Sequence, residues 1–188
     1  MLRGLTLDTE RLRLRRLRTS DLEPFASLNA DPIVMKHFPS VMTAQDTGLM
    51  IARMEAAFEE QGFGLFVVEV KSADTVIGFC GLSIPGFDAP FMPAVEVGWR
   101  LAKEHWGNGY ATEAATAAIG YGFNTAGLDE IVSFAIQANQ RSLKVMERLG
   151  MTHDPKDDFD HPRFPDDERL RRHVLYRMTA QRFVSQAD

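Results

Sequence analysis

A single cysteine, Cys80, leaves this chain unable to form an internal disulfide, which suits a reducing compartment. Cys80 lies inside the apolar run of residues 76–82, so its expected place is the core rather than a reactive surface. No apolar run reaches the length that spans a bilayer, and residues 1–8 lack the extended apolar region and cleavage pattern of a secretory signal. The expectation is a cytoplasmic protein with no membrane partner. Positive charge is not in excess: 21 Lys and Arg against 26 Asp and Glu give a formal charge of -5. That balance argues against direct nucleic-acid binding and suits a cationic amine or basic peptide as substrate. The histidines show no zinc spacing. His153, His161 and the intervening Asp154, Asp157, Asp158 and Asp160 either meet at a divalent ion or form a solvated acidic loop; the loop, and no metal, is expected. A Gly-x-Ser-x-Gly element and a Cys/His pairing signature are both missing, which removes the common hydrolase readings. With no repeat and no low-complexity linker, residues 1–188 are expected to form one domain large enough for a substantial core.

What is present centres on residues 96–123. Val95-Glu96-Val97-Gly98-Trp99-Arg100-Leu101 reads as a strand. His105-Trp106-Gly107-Asn108-Gly109-Tyr110-Ala111 cannot continue it, because two glycines one residue apart favour a turn whose backbone approaches a ligand closely. Ala111, Ala114, Ala115, Ala118, Ile119, Gly122 and Phe123 then repeat at the spacing of one helix face, and their small size lets a helix lie close against a sheet. Where turn meets helix, the first amides lack intrahelical acceptors and sit at the positive end of the helix dipole. Such a junction either holds a phosphate or pyrophosphate or is a structural turn alone. No Gly-Lys-Ser/Thr follows and the Gly-x-Gly-x-x-Gly fingerprint is incomplete, so neither a Walker loop nor a dinucleotide fold is implied.

Around this centre, residues 11–17 alternate basic and apolar side chains, the period of a strand. Their arginines line a phosphate site or, as expected, a solvated outer face. Ser20-Asp21-Leu22-Glu23 has the form of a capping box opening a short helix to about Asn29, which Asp31-Pro32 stops. Thr43 caps a second helix through Gln61, with Met50, Met54, Ala57 and Phe58 as its apolar stripe and Gly62 as its end. Residues 65–70 and 76–83 predict a hairpin. Residues 85–93, with three prolines, predict a loop whose phenylalanines and methionine either rim a cleft or cover the sheet edge. Residues 131–136 predict a strand. Asn139 then caps a helix with Leu143, Met146 and Leu149 inward and Gly150 as its stop; residues 153–168 follow as a long acidic loop and 173–178 as a closing strand.

Trp106-Gly107-Asn108-Gly109-Tyr110-Ala111 resembles the acyl-CoA pyrophosphate loop of the GNAT acyltransferases, Gln/Arg-x-x-Gly-x-Gly/Ala, with Trp106 in the Gln/Arg place. That departure is shared with the RimJ/RimL-like branch, which acetylates protein N-termini and places Trp-Gly-x-Gly-Tyr-Ala after a Glu-hydrophobic-Gly strand. Asn139-Gln140-Arg141-Ser142 and Glu147-Arg148-Leu149-Gly150-Met151 are similar to that branch's Asn-x-x-Ser and Glu-Lys-Leu-Gly-Phe blocks. With Thr9-Glu10-Arg11-Leu12-Arg13-Leu14-Arg15, the likeness covers nearly the whole chain. It implies an α/β GNAT fold: a mixed central sheet flanked by helices, with splayed central strands forming the acyl-CoA cleft. The implied activity is transfer of an acetyl group from acetyl-CoA to a primary amine by direct attack. The acceptor is either a protein N-terminal α-amine or a small amine such as a polyamine, amino acid derivative or aminoglycoside. A non-catalytic acyl-CoA sensor is the rival from another class, and monomer or dimer stays open. By the same resemblance, Leu101, Trp106, Gly107, Asn108, Gly109, Tyr110, Ala111, Thr112 and Asn139 are the cofactor-binding candidates. The first two helices would flank the acceptor groove, bringing His37-Phe38-Pro39 near substrate.

Glu96 is the candidate general base, as a carboxylate in an otherwise apolar central strand, where burial raises its pKa; the alternative is a glutamate satisfied by a neighbouring amide. A weak base suffices for an α-amine, whose pKa of about 7.7–8.0 lies well below the roughly 10.4 of lysine. Many family members place a tyrosine where this chain has Met146, and methionine cannot give a proton to the leaving thiolate. Ser142 either hydrogen-bonds that sulfur or only stabilises the helix start. His105 either contacts the nucleotide or is a turn residue.

Overall fold

The computed structural model describes residues 4–186. Thr6–Asp8 (β1), Leu12–Arg15 (β2), Leu65–Val70 (β3), Thr75–Ser83 (β4) and Glu96–Leu101 (β5) pair in sequence order, each antiparallel to the next. Glu130–Ile136 (β6) lies parallel to β5 and antiparallel to Arg172–Thr179 (β9), which closes the sheet. Between β2 and β3 come the helices Leu22–Ala30 (α1) and Ala44–Gln61 (α2). Tyr110–Asn124 (α3) makes the crossover from β5 to β6, as a parallel pair requires, and Gln140–Arg148 (α4) follows β6.

The sheet is covered on both faces, which explains why β3 and β4 read as nearly continuous apolar runs. Phe25, Leu28 and Met54 pack over Val67 and Phe79 on one side. On the other, Ala114, Ala115, Ala118 and Ile119 of α3 pack over Leu82 and Val97, with Cys80 in the same cluster. Gly122 shows how closely that helix lies: a Cβ there would fall 2.8 Å from both Ile131 and Leu82 side-chain carbons.

Two covered faces also correct the expected solvated outer face at Arg15 and Arg16, while the Arg11 and Arg13 side chains stay 45% and 40% exposed. Arg15 is buried and forks onto Asp21 at 2.7 and 2.8 Å while its Nε donates to Glu69 at 2.8 Å. Arg16 pairs with Glu55 and Glu59 and lies over the Phe58 ring. The Ser20-Asp21-Leu22-Glu23 box does not form either. Arg18 occupies the cap of a short 3-10 turn, Thr19–Asp21, and Asp21 accepts its amide at 2.7 Å as well as the Arg15 fork. Thr43 and Asp46 do form a capping box at the start of α2, and Gly62 ends that helix in the left-handed region.

Residues 153–168 are not one long loop. Thr152–His153 (β7) and Phe159–Asp160 (β8) both pair with β9, and Glu168–Arg171 (α5) leads into it. Phe159 is buried against Phe91 and Phe134, and Asp157 and Asp158 hold Arg177 and His153 at 2.7 and 2.8 Å. Ala180–Ser185 (α6) follows β9, its start capped by Thr179. Among the described residues no helix is long and apolar enough to cross a membrane.

Candidate functional site

The site grows from the failure of β5 and β6 to stay together. Their ladder registers only at Glu96 and Val132, where the Val132 amide donates to the Val95 carbonyl at 2.8 Å. The buried Ser133 hydroxyl donates to the Val97 carbonyl at 2.9 Å, and beyond it the two strands diverge. Into that gap opens a cleft of about 970 Å³, lined by residues of β5, the following loop, α3 and α4.

At one end of the cleft lies the glycine turn. Gly107 and Gly109 have φ of +81° and +80°, a left-handed conformation that other side chains enter at a cost. The first intrahelical bond of α3 runs from the Glu113 amide to the Gly109 carbonyl. Among the described residues nothing accepts from the amides of Tyr110, Ala111 and Thr112, and no side chain caps this helix. Those three donors, with the helix dipole behind them, are the kind of helix start that suits an anion.

The loop is braced from behind. Trp106 donates its indole N–H to the Leu101 carbonyl at 2.7 Å, tying the loop to the end of β5, and Arg141 of α4 sits 4.1 Å over its ring. Asn108 donates from its side-chain Nδ2 to the His105 and Trp106 carbonyls, which ties the turn to itself. Arg11 donates to the Asn108 carbonyl at 2.9 Å and is itself gripped by Glu113, which also accepts from the Thr9 hydroxyl. Burial alone would raise the Glu113 pKa, but the donors from Thr9 and Arg11 outweigh it and hold the carboxyl below its ordinary value. Arg11 is therefore a strut under the loop.

At its other end the cleft meets a second cavity of about 310 Å³, on the α1 and α2 side of the sheet. His37, Phe38, Trp99, Arg100, Asn139 and Ser142 line both spaces. Asn139 caps α4 by accepting the Ser142 amide at 3.3 Å, and the Ser142 hydroxyl has no partner among the described residues. Met146, fully buried, forms part of the second cavity's wall. Glu96 lies in this cavity with no hydrogen-bond or ion-pair partner among the described residues, and burial pushes its carboxyl up to about 8. Gly98, two residues on along the same face, leaves the space beside Glu96 open: a Cβ there would lie 3.8 Å from the carboxylate.

The structure thus brings Glu96, Ser142 and Asn139 to one cavity, and Leu101, Trp106, Gly107, Gly109, Tyr110, Ala111 and Thr112 to the adjoining cleft. His105 lines that cleft too. His161 is buried rather than part of a solvated loop; with His173 it walls the second cavity. Burial, then the neighbouring His173 and Arg163, pulls the His161 pKa down to about 4, which leaves it neutral at pH 7. Among the described residues no group of three or more His, Cys, Asp or Glu side chains could hold a metal ion. Phe87 and Phe91 of the proline-rich loop pack on Phe134 and Phe159, so the loop backs the cavity wall. Arg100 and His173 are additions that local sequence patterns did not single out, and His161 takes a place in the cavity wall instead of the acidic loop expected for it.

The acetyltransferase (GNAT) domain family matches residues 11–152, and the chain belongs to that family. The chain is 32% identical over 149 residues to the uncharacterized N-acetyltransferase p20 of Bacillus licheniformis, covering 77% of this chain and 80% of that one. A solved acetyltransferase from Agrobacterium tumefaciens superposes with a TM-score of 0.75 at 30% identity over 93% of this chain and 94% of its own. The ribosomal-protein-S5-alanine acetyltransferase from Vibrio fischeri shares the fold, with a TM-score of 0.69, 93% of this chain and 96% of that one covered, at 19% identity. Members of the family use acetyl-CoA and act on amines. This chain is accordingly an acyltransferase.

Proposed function

We propose that the chain transfers an acetyl group from acetyl-CoA to a primary α-amine entering the smaller cavity, as the RimJ/RimL-like motifs imply. One observation carries this reading: three unpartnered amides and an unpaired carboxyl group lie in two spaces that join at Asn139 and Ser142. The residues fit an acyl-CoA. The amides of Tyr110, Ala111 and Thr112 bind the pyrophosphate, the open φ-positive glycines keep the approach clear, and the diverging end of β5 leaves room for the extended arm. Acetyl-CoA supplies an activated thioester, whose acetyl group passes to the amine as the thiol leaves.

The protein's part is placement and proton handling. Holding two reactants together removes a large entropic barrier. Glu96, at about 8, accepts the proton of an α-amine of similar pKa, directly or through water. Met146 holds no proton, so the Ser142 hydroxyl is the donor available at the junction for the departing sulfur. The small volume of the cavity suits the first residues of a peptide or a compact free amine, and this is what keeps the small-molecule reading alive.

Free-thiol release from acetyl-CoA, run with peptides of different N-termini beside polyamines, amino acids and aminoglycosides, tests the proposal. Release with peptides that disappears when the α-amine is blocked supports the α-amine reading. Release with small amines alone transfers the site to the second reading. Binding of acetyl-CoA without release over the whole panel would make the chain a sensor and end the proposal.

A further inference from the structure

The smaller cavity contains a cation that nothing in the catalytic reading uses. Arg100 stands on β5 two residues beyond Gly98 and four beyond Glu96, so all three share one face of the strand. Its guanidinium lines both cavities. Nη1 donates to the Asn29 side-chain oxygen at 2.6 Å and approaches the Met42 sulfur at 3.6 Å. The plane is held by aromatic rings: Phe38 lies 4.2 Å and Phe79 5.2 Å from Cζ. Nε is sealed from water and has no acceptor, and none of the described residues accepts from Nη2. No carboxylate among the described residues pairs with it. Buried guanidinium groups normally face an anion, because removing the charge from water without a partner is costly.

Nε and Nη2 form one edge of the guanidinium fork; Nε is enclosed, so a carboxylate reaches this edge at Nη2, through a charge-assisted bond. Here that whole edge is unpartnered, while Nη1 and the two rings fix the orientation of the fork. At the other end of the same strand face stands Glu96, equally unpaired. Four residues of extended chain put their Cα atoms about 13 Å apart. The cavity therefore presents an unpaired carboxyl group, placed to take a proton from an amine, and an unpaired guanidinium edge at two ends of one wall, with Gly98 leaving the space between them clear. Such a pair complements a molecule that carries an amine and a carboxylate together.

We infer that Arg100 is the acceptor-carboxylate subsite, and that the preferred acceptor is an amine bearing a carboxylate several bonds away. The carboxylate belongs either to a free amino acid or to an acidic side chain near a peptide N-terminus. This assignment rests on the smaller cavity being the acceptor site, and it adds a specificity that the transfer reaction itself does not demand.

The test compares each acceptor with its neutral twin. One arm uses unbranched amino acids of increasing length against their own carboxamides; the other uses peptides with Asp or Glu at the second or third position against Asn or Gln. Binding is measured by calorimetry with CoA present, so that it is read without turnover, and thiol release from acetyl-CoA is measured in parallel. In the wild type at least one carboxylate acceptor is expected to bind tenfold or more tighter than its amide, with the difference falling in KM. Arg100→Gln is expected to bring that ratio close to one, and Arg100→Lys to retain part of it. The arm that shows the preference identifies the source of the carboxylate. A ratio near one in the wild type over both arms overturns the inference, as does a preference that survives Arg100→Gln in a variant with wild-type melting. Should Arg100→Gln fail to fold, the wild-type ratios and Arg100→Lys decide alone, because an ammonium not held by Asn29 and the Phe38 and Phe79 rings must lower the preference. Turnover of neutral amines with no carboxylate preference would reject this subsite and leave the transferase reading standing, whereas carboxylate preference in binding with no thiol release would do the reverse.

Discussion

Keeping Glu96 ionised inside the sheet destabilises the folded state. Its folded pKa of about 8 lies above the ordinary glutamate value, so the folded protein holds a proton that the unfolded chain has released. Stability from this group is complete below about pH 4.3 and is lost as pH rises through 8. Glu96→Gln should therefore stabilise the protein by roughly 2–4 kcal/mol at about pH 9 and by almost nothing near pH 4. Urea unfolding at the two pH values checks this, and an equal gain at both would place the effect elsewhere. The same variant should lose on the order of 100-fold in kcat/KM. The wild-type rate limb near pH 8 should keep its place for acceptors of different amine pKa and vanish in Glu96→Gln; a limb that moves wholly with the amine would remove Glu96 as base. The place of Glu96 in the central strand was readable because a lone carboxylate interrupts an apolar run. Arg100 was not, since its meaning depends on Asn29, Phe38, Met42 and Phe79, which only folding gathers around it.

The glycine turn and α3 act as a unit whose stiffness is set by residues far away in sequence. Gly109 takes φ of +80° and a Cβ there would already sit 3.4 Å from Arg11 Nη2. Gly109→Trp should weaken acetyl-CoA binding by more than tenfold, measured by calorimetry, in a protein that still melts cooperatively. Unchanged affinity would refute the loop as the pyrophosphate site. Arg11→Ala should loosen the same loop without touching a ligand, and we expect a smaller fall in affinity, about 3–10-fold for the loss of one charge-assisted bond. The small-residue face of α3 and the paired glycines were plain in the sequence, being local patterns. The strut from Arg11 to Asn108 and Glu113 joins residues about a hundred positions apart, so no local pattern could carry it. The misread start of α1 has a local cause: the helix begins only at Leu22, and Ser20 lies inside the 3-10 turn that Arg18 and Asp21 close, so it is not in the capping position.

Across the whole molecule, a buried charge cluster and an open cleft pull stability in opposite directions. Arg15, Asp21 and Glu69 join β2, β3 and the entry to α1, and removing one partner strands the others in the core. Asp21→Ala should cost about 3–5 kcal/mol, read as a fall in the denaturation midpoint; a loss below about 1 kcal/mol would show that water reaches the cluster. The cleft gives the opposite lever. Ligand that binds only the folded state should raise its stability by about 2.7 kcal/mol at a hundredfold excess over Kd, a rise of about 5–10 °C in Tm for a chain of this size. The alternating and β-rich runs marked β2 to β6 and β9 in the sequence, and the family resemblance supplied the mixed sheet that joins them. The pairing of β7 and β8 with β9 stayed hidden because two-residue strands carry no period, and Phe159 finds its partners only through the proline-rich loop and β6. Cys80 bears on practice: it is wholly enclosed, and burial pushes its thiol well above the usual range. The protein thus contributes no background to a disulfide-exchange dye assay for released CoA. A cysteine introduced at exposed Ser40 would also be the one position a fluorophore could label, giving a reporter beside the His37 and Phe38 wall.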